Sequence, residues 1–107
     1  MSVIMTFQAA GDPKGLERWA ADNPKPMQET LEAAKRHGLI GHRFYGSDDG
    51  RFLMVIDEWP DRQSFESFFR EQESEIRPMF EAAGITGQIE PKFWRELTTG
   101  DAYGWGA

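Results

Sequence analysis

The segment Phe52–Trp59 most restricts the fold of this 107-residue chain, because it is apolar on both faces that a strand would present. Successive side chains of a strand point to opposite faces, which gives two apolar sets here: Phe52, Met54 and Ile56, and Leu53, Val55 and Trp59. A strand with one face in water normally alternates apolar and polar residues. We therefore expect helices to cover one face of its sheet and a second copy of the sheet to cover the other. The pattern leaves open which face meets the helices.

Turn-forming residues divide the rest of the chain into strands and helices. Asp12 is placed to cap a helix that begins at Pro13, and Gly38 is placed to end it after His37. We expect a break or kink at Asn23–Pro26, because a proline inside a helix loses a hydrogen bond and clashes with the preceding turn. A second long helix is predicted between a capping Asp61 and Gly84, and the predicted strands are Ser2–Ala9, Leu39–Tyr45, Arg51–Trp59 and Gly87–Leu97, with Pro91 marking a bulge or an edge.

The order of the predicted elements is β-α-β-β-α-β. This order is typical of the ferredoxin-like α+β fold, in which both helices lie on one face of a four-stranded antiparallel sheet. We expect residues 1–97 to form this single domain and residues 98–107 to form a Gly-rich tail. Two such sheets packed face to face would give a homodimer in the form of a dimeric α+β barrel.

The composition excludes several classes of function. The net charge is −6, and no cluster of Lys or Arg is present, which disfavours binding to nucleic acid or to an anionic membrane surface. The absence of cysteine excludes disulfides, thiol nucleophiles and zinc–thiolate sites. No apolar run is long enough to span a membrane and the first residues do not resemble a signal peptide, so a cytoplasmic location is expected. Two histidines far apart in the predicted fold do not make a metal site, and we expect no cofactor.

One candidate catalytic pair, His42 and Asp57, follows from strand parity. If the hairpin loop at 46–50 has an even number of residues, these two side chains share a face and lie within reach of each other. A carboxylate beside an imidazole holds one tautomer and favours its use as a general base. Trp59, one step further along, would then be a flat apolar wall. The alternative is a structural hydrogen-bonded pair at the sheet edge, with Trp59 in the core.

Several phenylalanines are candidates for binding an apolar or aromatic ligand. Phe44 shares the face of His42 under the same parity, and the other three recur at helical spacing on the second long helix: Phe65, Phe68 and Phe69. The alternative is that this stripe is simply the core side of the helix.

The stretch FLMVIDEWPDRQSF, taken with the order of elements, resembles the dimeric α+β barrel superfamily and in particular its antibiotic biosynthesis monooxygenase-like domains. In those domains an acidic residue two positions before a tryptophan closes the third strand, and an acidic turn leads into an aromatic-bearing helix. Four residues match that pattern: Asp57, Trp59, Asp61 and Phe65. The resemblance covers about residues 2–97.

The resemblance implies a pocket between sheet and helices and, as one possibility, oxidation of a small phenol or anthrone without a cofactor. His42 and Asp57 would act in catalysis, and Trp59 with the four phenylalanines would hold the ring. Haem-degrading relatives carry a histidine on the second long helix; this chain has none there, so haem degradation is not expected. The alternative is a non-catalytic dimeric domain of the same fold that binds a small molecule or is purely structural.

Overall fold

The structure is a computed structural model that describes residues 1–86 and 89–106. Its elements are, in chain order, β1 (Val3–Ala10), α1 (Pro13–Asp22), α2 (Pro24–Arg36), β2 (Gly41–Gly46), β3 (Phe52–Trp59), α3 (Arg62–Ala82) and β4 (Lys92–Trp94).

The four strands form one antiparallel sheet in the order β2-β3-β1-β4. The core lies on one face of this sheet, where alternate side chains of β1 and β3 pack against residues of all three helices. The predicted ferredoxin-like α+β fold is therefore confirmed. None of the helices in the described residues is long and apolar enough to cross a membrane.

The first predicted helix is two helices, α1 and α2, and the expected break lies at Asn23. This residue ends α1 and precedes α2, and its side-chain amide donates to the carbonyl of Trp19 at 2.8 Å. Pro24 is the first residue of α2, where the backbone N–H has no partner within the helix and a proline is therefore tolerated. The chain breaks where the prolines predict it, and a new helix begins there.

Two predicted strand boundaries were wrong. The fourth strand was predicted over Gly87–Leu97, but β4 has three residues; Gly87 and Gln88 lie outside the described residues. β4 is an edge strand that pairs with β1 alone, and Pro91, just before it, has no N–H to donate to a ladder. The second strand was predicted from Leu39, whose N–H instead bonds the carbonyl of Ala34 at 3.0 Å and completes the end of α2.

The structure settles which face of β3 meets the helices. Leu53, Val55, Asp57 and Trp59 are buried on the helix face, and Trp59 is fully inaccessible to solvent. The opposite face of the sheet, here called the free face, is not covered by any helix of the described residues. It exposes large apolar side chains, which are 44 to 53% accessible in three cases: Tyr45, Phe52 and Trp94.

Candidate functional site

The β2–β3 hairpin places His42 directly opposite Asp57. The ladder pairs these two residues and, one step towards the turn on the same face, Phe44 with Val55. The turn is held by the Ser47 hydroxyl, which accepts from the backbone N–H of Phe52 at 3.0 Å, and by Gly50, whose φ of 73° suits glycine. Even positions of β2 therefore share a face with odd positions of β3, as parity predicted for an even loop.

The side chains of this pair form a short hydrogen bond. His42 Nδ1 lies 2.6 Å from Asp57 Oδ1. Asp57 is only 5% accessible, whereas the side chain of His42 remains 32% accessible. An ionised carboxylate can only accept, so Nδ1 carries the proton of a neutral His42 ring and Nε2 keeps its lone pair. No group in residues 1–86 or 89–106 bonds Nε2, which leaves it free to take a proton from a ligand.

The second oxygen of Asp57 accepts a hydrogen bond from a buried side chain. The indole Nε1–H of Trp59 donates to Asp57 Oδ2 at 3.1 Å, so each carboxylate oxygen has its own donor. The indole in turn packs edge-on against Phe65, with ring centroids 5.8 Å apart. It also packs against the tilted ring of Phe68, with ring centroids 5.4 Å apart. The result is a chain of contacts from the core, through the carboxylate, to the imidazole.

An apolar cavity of about 200 Å³ lies beside this pair, between the helix face of the sheet and the helices. His42 and Asp57 are among its lining residues, and so are four of the predicted ligand-binding residues: Phe44, Phe65, Phe68 and Phe69. Trp59 does not line it, since the indole sits behind the carboxylate. The structure thus gathers the predicted site residues in one place, with Trp59 in a supporting position instead of at the wall.

Part of the remaining lining comes from residues on the apolar sides of the helices. They include Trp19, Met27, Leu31, Ile76 and Met79. Exposed or half-buried polar side chains also reach the cavity, namely Gln28, Thr30 and Glu75. Helical periodicity identifies the apolar residues of this set as inward-facing but does not tell a packed interior from a cavity wall, so no signal in the sequence assigned them to a site.

The other histidine, His37, belongs to a surface network between α2 and α3. Its Nε2 lies 3.3 Å from Glu71 Oε1, and Arg36 lies 3.4 Å from the other oxygen of that carboxylate. The side-chain amide of Gln72 lowers the pKa of Glu71 most, and the hydrogen bond from His37 lowers this pKa further. His37 does not line the cavity, which makes it a natural internal control for His42.

No three side chains of the metal-ligating types converge in the part of the chain that the structure describes.

No family model and no curated protein matches this chain by sequence. Solved structures do match it in three dimensions. A dimeric ferredoxin-like protein from an uncultured marine organism is 9% identical, with a TM-score of 0.66, and the match covers 95% of this chain and 93% of that one.

Two oxygenases are similar over the same extent. The monooxygenase ActVA-Orf6 of Streptomyces coelicolor, solved with Nanaomycin D, is 16% identical with a TM-score of 0.61, covering 92% of this chain and 88% of that one. A variant of SnoaB, a cofactor-independent oxygenase from Streptomyces nogalater, is 14% identical with a TM-score of 0.59, covering 94% and 98%. The chain has the fold of the antibiotic biosynthesis monooxygenase-like structures. The resemblance predicted from the sequence is confirmed at this level, and identities this low establish the fold alone.

Proposed function

We propose that this protein is a cofactor-independent oxygenase that oxidises a small aromatic substrate, a phenol or an anthrone, in the cavity beside His42. One observation carries the proposal: an imidazole with a free Nε2, held by a buried carboxylate, lies at the edge of a mainly apolar cavity. A base placed against an apolar space suits a substrate whose acidic proton sits on an aromatic body.

The proposed reaction uses the substrate as the reductant. His42 Nε2 removes a proton, and the resulting carbanion or phenolate passes one electron to dioxygen. The substrate radical and superoxide combine into a peroxide, which takes the proton back from the imidazolium and loses water. The balance is CH₂ plus O₂ giving C=O plus H₂O for an anthrone. Asp57 stabilises the imidazolium that exists between the two proton transfers.

The cavity volume limits the substrate. An engineered cavity of about 150 Å³ is known to hold a benzene, so the cavity of about 200 Å³ fits one ring with substituents or two fused rings. A three-ring anthrone needs more space, which Met27 and Met79 could provide because unbranched methionine side chains shift at little cost. We therefore expect one- and two-ring phenols to bind more tightly than anthrones.

We further propose that the protein is a homodimer that buries the free face of the sheet. Apolar side chains cluster there on four neighbouring strands, among them Ile4, Tyr45, Ile56 and Trp94. Large exposed apolar side chains gathered on one face of a sheet favour an interface, and one of the similar structures is described as dimeric. A cytoplasmic location remains a prediction from the sequence.

The test combines binding with oxygen uptake. Trp19 lines the cavity, so phenol, 1-naphthol and anthrone should quench tryptophan fluorescence saturably, and Trp19→Phe should remove most of that signal. An oxygen electrode then follows turnover. We expect His42→Gln to retain binding and to lose about 10²- to 10⁴-fold in kcat, the range that a general base contributes. His37→Gln should behave like the wild type.

Other outcomes decide between the alternatives. Saturable binding with no oxygen uptake by the wild type would favour a domain that binds a small aromatic molecule without turnover. No saturable binding of any of the three compounds would reject the proposal and favour a cavity that is only a packing defect of a structural dimer.

A further inference from the structure

We propose that Trp59 is a positioning residue, which acts on His42 through Asp57. Its indole N–H fixes the carboxylate, and the carboxylate then holds the imidazole in the tautomer that leaves Nε2 free. The catalytic importance of this arrangement rests on the proposed function, but the arrangement itself is testable without any substrate.

The geometry of the carboxylate supports this role. Asp57 accepts from His42 on Oδ1 at 2.6 Å and from Trp59 on Oδ2 at 3.1 Å, and the two donors come from opposite ends of the group. A carboxylate with a separate donor on each oxygen cannot rotate without breaking one of these bonds. Because Asp57 is 5% accessible, water cannot easily replace a lost donor, and hydrogen bonds in such surroundings are strong.

The indole is itself held in place. Trp59 is the largest fully buried side chain among the described residues. Phe65 meets it edge-on at an interplanar angle of 73°, and Phe68 covers it at 35°. These two contacts and the complete burial of the ring restrict the indole, whose N–H points at Oδ2. A phenylalanine at this position would fill most of the same space and would supply no donor.

The predicted consequence concerns the proton of the His42 ring. A neutral histidine in water favours the tautomer with its proton on Nε2, whereas the bond to Asp57 Oδ1 requires the proton on Nδ1. If Trp59 did not anchor the carboxylate, the buried Oδ2 would lack a donor and the group could turn to seek one. The Nδ1–H tautomer would then lose its advantage, and with it the free Nε2 that the proposed reaction uses.

NMR of the imidazole nitrogens tests the inference directly, because the chain has only two histidines. In the wild type we expect the ¹⁵N shifts of His42 to report the Nδ1–H tautomer. In Trp59→Phe they should move towards a mixture of tautomers, while those of His37 stay unchanged. Trp94→Phe is the matched control: it also removes an indole N–H bound to a side-chain oxygen, Thr6 Oγ1 at 2.7 Å, but on the free face.

A second experiment leaves the indole and its two aromatic neighbours unchanged. Asp57→Asn keeps the shape of the acceptor and removes its charge, so the NMR signal of the Trp59 indole proton should shift upfield. The indole protons of the other tryptophans should not shift: Trp19, Trp94 and Trp105. This experiment decides the matter if Trp59→Phe fails to fold. Unchanged indole shifts, or an unchanged His42 tautomer in a folded Trp59→Phe, would overturn the inference and leave Trp59 as core packing alone.

Kinetics separate this inference from the proposed function. If the wild type oxidises a phenol, Trp59→Phe should lower kcat about tenfold, a fraction of what a general base contributes, and leave KM within about twofold. If the wild type oxidises nothing but the tautomer shifts as expected, Trp59 is a positioning residue and the proposed reaction is wrong. If kcat is unchanged in Trp59→Phe, the positioning role is rejected and the proposed reaction stands.

Discussion

Two neighbouring alanines of α2 provide a sharp test of whether the cavity exists. Ala33 and Ala34 are both buried, at 1% and 5% accessibility, but only Ala34 lines the cavity. Ala34→Leu adds three carbons to an open space, and Ala33→Leu adds the same three carbons to a filled one. We expect the two substitutions to change stability in opposite directions.

The magnitude follows from the atoms added. Three buried carbons contribute about 2.4 kcal/mol at about 0.8 kcal/mol each, and the lost rotamer freedom of a leucine offsets about 0.5–1 kcal/mol. Ala34→Leu should therefore raise the free energy of unfolding by about 1.5 kcal/mol and the Tm by several degrees. Ala33→Leu should lower the free energy of unfolding by about 1–3 kcal/mol through overpacking.

Urea unfolding followed by circular dichroism measures both changes, and fluorescence titration with 1-naphthol measures the accompanying loss of binding in Ala34→Leu. The reasoning would be refuted if Ala34→Leu destabilised the protein as much as Ala33→Leu, because the space of about 200 Å³ would then not be available to a side chain.

Three further predictions concern the fold and its assembly. The backbone N–H of Ser64 lowers the pKa of Asp61, so Asp61→Asn should reduce Tm at pH 7. Because a lowered pKa means that only the ionised carboxylate stabilises the fold, the difference in Tm should vanish as pH falls below the ordinary value near 3.8. A difference in Tm that stays constant with pH would contradict this. A Cβ on Gly15 would lie 2.7 Å from the carbonyl oxygen at the end of α3, so Gly15→Ala should cost about 1–3 kcal/mol in urea unfolding, whereas Gly41→Ala, with open space around it, should not. Ile56→Glu, on the free face, should convert a dimer to a monomer in sedimentation experiments; a wild type that is already monomeric would disprove the dimer.

Local features of this protein could be predicted from its sequence. Asp12 and Asp61 cap the helices that follow them, with bonds from the backbone N–H of Lys14 and of Ser64, because capping depends only on residues within one turn. The pairing of His42 with Asp57 was also predictable, since a short hairpin ties the register of its strands to the length of its loop.

What the sequence did not determine depends on contacts between distant elements. β4 exists as a strand because it pairs with β1, some 88 residues earlier at the Trp94–Thr6 bond. The cavity exists because three helices and a sheet leave space between them, and an inward-facing residue looks the same in a sequence whether that space is filled or open.

Trp59 shows most clearly which features the sequence determines and which the tertiary structure decides. From the sequence it is an apolar residue that closes a strand, equally suited to a pocket wall or to the core. Only the packing of α3, which brings Phe65 and Phe68 against the indole, turns its N–H onto Asp57 and away from the cavity. Strand periodicity assigns a side chain to a face of the sheet, whereas the direction of a single N–H is decided by the residues that pack around it in the tertiary structure.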